Sequence, residues 1–268
     1  MSFAGHTPIG YNVHMRRAHI LLTTTLAIST MVSAGVRSEP AAPPPEENAF
    51  SANTEVLDIP TASTMFGRMF SLNLRMFQNG GLLLKGSASA KNTFIFGFSL
   101  LANKVIGSGN ITVPEDPKVI LKLRLFNDTK NGFQGAIGWD DSQYDNITKT
   151  TYATKGRGVY AVLSKDLNMS SFFLTAHGGL GVTGLRDGFQ TKQDLNPFVG
   201  LTGSINEDFL VGLEYDDWLY TNHPVIKNGS FNAMVGFAWD VSLKLELGFK
   251  NLGQGSYSNR ILKIVYTF

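Results

Sequence analysis

Along most of the chain, apolar and polar residues alternate in pieces of about ten, the length a tilted strand needs to cross a bilayer. The clearest apolar rows are Phe70, Leu72, Leu74, Met76; then Phe94, Phe96, Phe98, Leu100; then Val119, Leu121, Leu123, Leu125. Later rows are Phe209, Val211, Leu213, Tyr215; then Phe231, Ala233, Val235, Phe237, Trp239; then Leu243, Leu245, Leu247, Phe249. A period of two sets each row on one face of a β-strand. With the weaker pieces included, the pattern predicts twelve strands, over 68–77, 81–90, 93–102, 118–127, 132–141, 156–165, 171–183, 196–205, 208–217, 229–239, 241–250 and 259–268. The pieces 81–90 and 156–165 alternate poorly and 196–205 has two phases, so the pattern admits ten to fourteen strands.

The connections sort by length. Short turns fall at Lys91-Asn92, Asn127 to Asn131, Asp166 to Ser170, Asn206-Glu207 and Asp240. The alternate connections, 103–117, 142–155, 184–195, 218–228 and 251–258, are longer, with Gln78-Asn79-Gly80 the one exception. Bacterial membrane barrels put short turns inside and long loops outside, so the expected fold class is all-β, a transmembrane antiparallel up-and-down barrel. A soluble sandwich or lipocalin-like barrel also alternates, but needs a polar exterior. Here the apolar rows are opposed by Arg75, Lys85, Lys122, Arg124, Glu214, Lys244, Glu246, Lys250 and Lys263, charges that suit a wet lumen.

The closing piece, Ile261 to Phe268, has Leu262, Ile264, Tyr266 and Phe268 on one face. It resembles the last strand of Gram-negative outer-membrane barrels, and that resemblance implies that Tyr266 and Phe268 carry the signal read by the barrel-assembly machinery. Localisation in the outer membrane follows as an expectation, with lipid and lipopolysaccharide as surroundings.

Composition adds a leader. Residues 15–34, MRRAHILLTTTLAISTMVSA, pair two arginines with a short apolar run and a Val-Ser-Ala end, the pattern of a signal peptide cut after Ala34. The run is interrupted by Thr and Ser and falls short of the roughly 20 residues of a spanning helix. Removing 1–34 takes Arg16 and Arg17 from 23 basic residues and leaves 21 against 21 acidic ones, so nucleic acid is not an expected partner. Without cysteine there is neither a lipid-anchor site nor a disulfide. The front of 35–67, rich in Pro, Ala and Glu, reads as a periplasmic lead-in, and the barrel is assigned to 68–268.

Candidate chemistry is sparse. The inward rows hold Arg75, Lys85, Lys122, Arg124, Lys244, Lys250 and Lys263 against Asp140, Glu214, Asp216 and Glu246. Lining an open pore, they would favour anions; pairing across the barrel, they would plug it. Asp140-Asp141 and Asp216-Asp217 end two strands, with His223 in the following loop. These rim residues are similar in type to those of the omptin proteases, which would imply a hydrolase; the bland alternative is turn formers or ion ligands. His177 lies on an inward face, but the Ser that the outer-membrane phospholipase arrangement places two residues on is here Gly179, so a packed histidine is the expectation. Trp139, Tyr215, Trp218, Tyr220 and Trp239 lie near strand ends and suit an aromatic girdle. The glycines of 105–119 lack the Lys-Ser/Thr of a phosphate-binding loop, so no cofactor is expected.

The stretch EVLDIPTASTMFGRMFSLNLRMF, residues 55–77, resembles the Pro-Thr-Ala motif and first strand of YjbH-like outer-membrane proteins, and LRLFND (123–128) and IGWDDSQYD (137–145) are similar to other barrels of that kind. The resemblance implies a role in exopolysaccharide production. The functional expectation is therefore a non-enzymatic envelope barrel, a narrow channel for anionic solutes or polysaccharide. The alternatives are a rim hydrolase and a structural or adhesive barrel acting through its outer loops.

Overall fold

The structure, a computed structural model, describes residues 53–65, 69–78, 80–108, 110–113, 117–142, 158–169, 172–182, 195–205, 208–218, 229–239, 242–253 and 258–268. The expected signal peptide, the front of the lead-in, Tyr220 and His223 lie outside them.

Twelve antiparallel strands pair each with the next, and β12 pairs back onto β1, so the sheet closes. The first six are β1 Phe70–Phe77, β2 Leu82–Ala90, β3 Phe94–Ala102, β4 Lys118–Asp128, β5 Phe133–Asp140 and β6 Gly158–Met169. The rest are β7 Phe172–Val182, β8 Leu195–Ile205, β9 Phe209–Asp216, β10 Ser230–Ala238, β11 Leu243–Leu252 and β12 Asn259–Thr267. The twelve strands of the sequence pattern are thus all present. The largest shift is β6, which continues to Met169 because Lys165 to Met169 keep pairing with Phe172 to Ala176. Register shifts at Arg124/Phe126 and Phe231/Ala233 leave no trace in the alternation.

The pleat decides which side meets lipid. On β3, Phe94, Phe96, Phe98 and Leu100 point outward, while Ile95 and Ser99 between them are buried. The same outward apolar row recurs on β4, β8, β9, β10 and β11. A water-soluble barrel reverses that arrangement. A closed ladder with an apolar exterior is what hydrocarbon demands, since every backbone polar group must find its partner within the sheet. The chain is an outer-membrane-type β-barrel.

Aromatic rings gather outside the end that carries the short turns: Phe209 and Phe237 at 5.3 Å, Phe237 and Trp239 at 6.2 Å, and Phe70 stacked on Phe268 at 5.9 Å. The last pair also closes the seam, because Phe70 N–H donates to Phe268 O (2.8 Å) and Phe268 N–H to Phe70 O (2.9 Å). Phe268→Ala keeps those backbone bonds and removes the ring stack, an expected loss of about 1 kcal/mol. A lowered urea midpoint for the compact band on a heat-modifiability gel is the expected readout; an unchanged midpoint would assign the ring no part in stability.

Trp218 departs from the expected girdle. It is fully buried, because on β9 the inward positions are the even ones, Leu210, Gly212, Glu214 and Asp216, and Trp218 continues that row.

Candidate functional site

The lumen is occupied by the chain itself. Residues 53–65, expected as the end of a periplasmic lead-in, lie inside the barrel, with Val56 to Met65 buried. They fold as a tight hairpin: Val56 N–H donates to Ile59 O (2.9 Å), Thr61 N–H to Thr54 O (3.1 Å), and Glu55 pairs with Pro60. The return arm reaches the short-turn mouth, where the Thr64 hydroxyl donates to Asn92 O (2.7 Å) and the Ser89 hydroxyl to Met65 O (2.9 Å). Pro60 fixes the backbone after the tip without leaving a donor unsatisfied. Composition of the front half of 35–67 hid this; EVLDIPTA is not a Pro/Ala/Glu tract but an apolar run, Val56, Leu57 and Ile59, carrying two acids, Glu55 and Asp58.

Many polar groups of the hairpin have partners on the wall. The tip turns its N–H groups toward Glu214, whose Oε2 accepts from Leu57 (3.0 Å), Asp58 (3.0 Å) and Ile59 (3.1 Å), while Oε1 accepts from Asn232 Nδ2 (2.7 Å). Consecutive amides aimed at one carboxylate form an anion nest. Lys122 Nζ donates to three hairpin carbonyls, Thr54 (2.7 Å), Thr61 (3.0 Å) and Ser63 (3.2 Å), and Lys244 Nζ donates to Asn53 Oδ1 (2.9 Å).

The two acids of the hairpin meet the cations of β1, β2 and β11. Arg75, fully buried, donates through Nη1 to Asp58 (2.6 Å) and through Nη2 to Glu55. Lys85 adds a second cation to Glu55 (2.5 Å) and Lys250 one to Asp58. Burial works to raise the Glu55 carboxyl, but the positive charges of Lys85, Arg75 and Lys263 outweigh it and hold the group well below the ordinary carboxylate range. Lys263 itself pairs with Glu246 (2.7 Å). Arg124, on the same face of β4 as Lys122 and nearer the short-turn mouth, is only half-buried.

The apolar tip has a seat cut by glycines. A Cβ at Gly248 would lie 2.5 Å from Leu57 Cδ1, and one at Gly200 would lie 2.6 Å from Ile59 Cδ1. Val56, Ile59 and Ala62 pack with Tyr160, Phe198 and Trp218, whose rings stand 5.5 Å (Tyr160–Trp218) and 5.6 Å (Phe198–Trp218) apart. Leu57 packs with Leu210 and Met234. At the long-loop end of β1, β2, β3 and β12, Phe77, Leu83, Leu101 and Ile261 form a further apolar cluster. Beside the hairpin remain cavities of about 60 Å³, one against Lys85, Lys122, Lys244 and Lys263, another against His177, Thr202 and Asp166. Each has room for a few waters and no larger solute.

His177 is not alone. Its Nδ1 lies 2.8 Å from Ser164 Oγ and its Nε2 3.0 Å from Thr202 Oγ1, and Ala62 N–H donates to the same Ser164 oxygen (2.9 Å). The serine sits opposite His177 across the β6–β7 ladder rather than two residues along it, which a search for a local motif does not reveal. The position two residues on, Gly179, accommodates Phe198: a Cβ there would be 2.3 Å from its ring. Ser164 is thus buried under the hairpin, with an amide where a substrate carbonyl would need to be.

The rim acids do not converge among the described residues. Asp140 on β5 accepts from Ser142 N–H (2.8 Å) and stands 3.5 Å from Lys85, while Asp216 is on β9, with three strands between. Asp141 is buried, its N–H on Val119 O (3.1 Å). Partial burial and the neighbouring Asp216 raise the Asp217 carboxyl.

No protein-family model and no curated protein sequence matches this chain, so the YjbH-like resemblance rests on its own residues. Similar solved structures include Salmonella typhi OmpF in complex with daunomycin (7% identity, 75% of this chain and 97% of that one, TM-score 0.28). Others are the Vibrio cholerae outer-membrane protein OmpT lacking loop L8 (11%, 75% and 97%, TM-score 0.21) and in-vitro-folded OmpT (10%, 80% and 100%, TM-score 0.20). The fold stands on its own closed ladder rather than on these likenesses.

Proposed function

We propose that this chain is an integral outer-membrane protein, a non-enzymatic narrow conduit held shut by its own hairpin, residues 53–65. The observation that carries the reading is the match between hairpin and wall: charge on charge at Arg75, Lys85 and Lys250, apolar tip into Gly200 and Gly248. Behind the hairpin, six buried cations (Arg75, Lys85, Lys122, Lys244, Lys250, Lys263) stand against five buried anions (Asp140, Asp141, Glu214, Asp216, Glu246), a small excess that favours anions. The surroundings are outer-membrane lipid and lipopolysaccharide, reached through the barrel-assembly machinery. The YjbH-like resemblance, residues 55–77, falls on the hairpin and β1 and supports polysaccharide as cargo once the hairpin has left. A hydrolase is disfavoured by the engagement of Asp140 with Lys85 and by the amide covering Ser164.

Planar-bilayer recording on the intact protein is expected to give long closed periods broken by brief anion-preferring openings. Steady conductance, or cation preference in the openings, would overturn the reading.

A further inference from the structure

In the closed barrel, one guanidinium grips two carboxylates. Arg75 offers one nitrogen to Glu55 and another to Asp58, and each acid has a second cation, Lys85 or Lys250. Buried ion pairs of this kind contribute little net stability relative to apolar packing, because desolvation cancels most of the attraction. As permanent glue they are a poor choice; as an exchangeable grip they serve well, since any ligand with matching charges can replace one partner. Removing one partner and substituting nothing is what costs. The surrounding wall is also suited to a polar guest: Glu214 accepts three N–H donors from the tip, and Lys122 donates to three carbonyl oxygens.

From this geometry we infer that the seat of Glu55 and Asp58 is a binding site for a ligand carrying two carboxylates within reach of one guanidinium, and that the hairpin is its built-in competitor. The inference rests on the closed-conduit reading and names the chemistry that opens it. The guest places its carboxylates on Arg75, Lys85 and Lys250 and its hydroxyl or amide donors on Glu214. A free dicarboxylate and a uronate-bearing saccharide share that chemistry.

Trp218 is the reporter, because it packs in the same cluster as Val56 and Ile59. In a Trp139→Phe, Trp239→Phe background it is the only one of the three tryptophans left. The detergent-purified full chain is titrated with glutarate, with trigalacturonate and with a neutral galactose trisaccharide. A saturable change in Trp218 emission with a carboxylate probe and none with the neutral sugar is expected, and which probe acts separates the free acid from the saccharide. Glu55→Gln with Asp58→Asn weakens the competitor and should tighten binding at least about tenfold, while adding Arg75→Gln should reverse the gain. No carboxylate response in either background, equal response to the neutral sugar, or no tightening in the amide variant would each overturn the inference. Should the Arg75 variant fail to fold, block of current through a barrel lacking residues 54–64 by the same probes replaces it, and absence of block counts against the site. If that shortened barrel conducts but no carboxylate binds, the site alone is wrong; if it does not conduct, the closed-conduit reading is wrong whatever binds.

Discussion

Removing residues 54–64 is expected to turn a mostly silent barrel into a steadily conducting, anion-preferring one. The deletion takes away the hairpin's two acids and its apolar tip but touches no strand, so the ladder that closes the sheet remains. Tyr160, Phe198 and Trp218 stay along the wall formed by β6 to β9, and the opposite wall keeps Arg75, Lys85 and Lys263. The same opening should follow from a change that leaves every ion pair intact. Gly248→Leu and Gly200→Leu together push side chains into the space of Leu57 and Ile59, whereas alanine at either site displaces only the far end of a flexible side chain. Conductance in the leucine variant and near-wild-type silence in the alanine one would identify the seat as the determinant. Silence in both the deletion and the leucine variant, with a normal compact band on the gel, would mean that the aromatic wall alone shuts the lumen.

The second large effect is expected from Arg75→Gln. The change leaves partly buried Glu55 to Lys85 and buried Asp58 to Lys250, and stranding buried charge costs about 3–5 kcal/mol. The hairpin can escape that penalty by leaving, so the loss should appear in its seating and not in the barrel. Cleavage of residues 53–65 by added protease should rise steeply while the heat-modifiable band persists. Loss of the compact band together with the hairpin would show that Arg75 holds the barrel wall itself.

Much of this architecture was legible because the strand period is local. Phe94 to Leu100 declare a lipid face within one strand, and the expected 93–102 became Phe94–Ala102. Even the burial of Trp218 could have been read from its parity with Leu210, Glu214 and Asp216, where nearness to a strand end suggested a girdle. What alternation could not supply was the partner of each inward charge. The hairpin makes no repeated ladder and so has no period; its tip finds Glu214 at a separation of 157 residues. The Ser164–His177 pair likewise becomes visible only once the register of β6 on β7 is known.

The grip on the hairpin is built across the seam where the sheet joins itself. Arg75 on β1 stands directly opposite Lys263 on β12, like charges that repel across a strand pair, and Lys85 on β2 and Lys250 on β11 are buried on the same inward face. Glu246 neutralises part of that repulsion from the β11 side, and Glu55 and Asp58 supply the remainder from within. An unjoined sheet therefore has no complete docking place, and a joined sheet without its hairpin carries a strained seam. The hairpin acts as a clasp, and the step that makes the barrel continuous is the step that locks it.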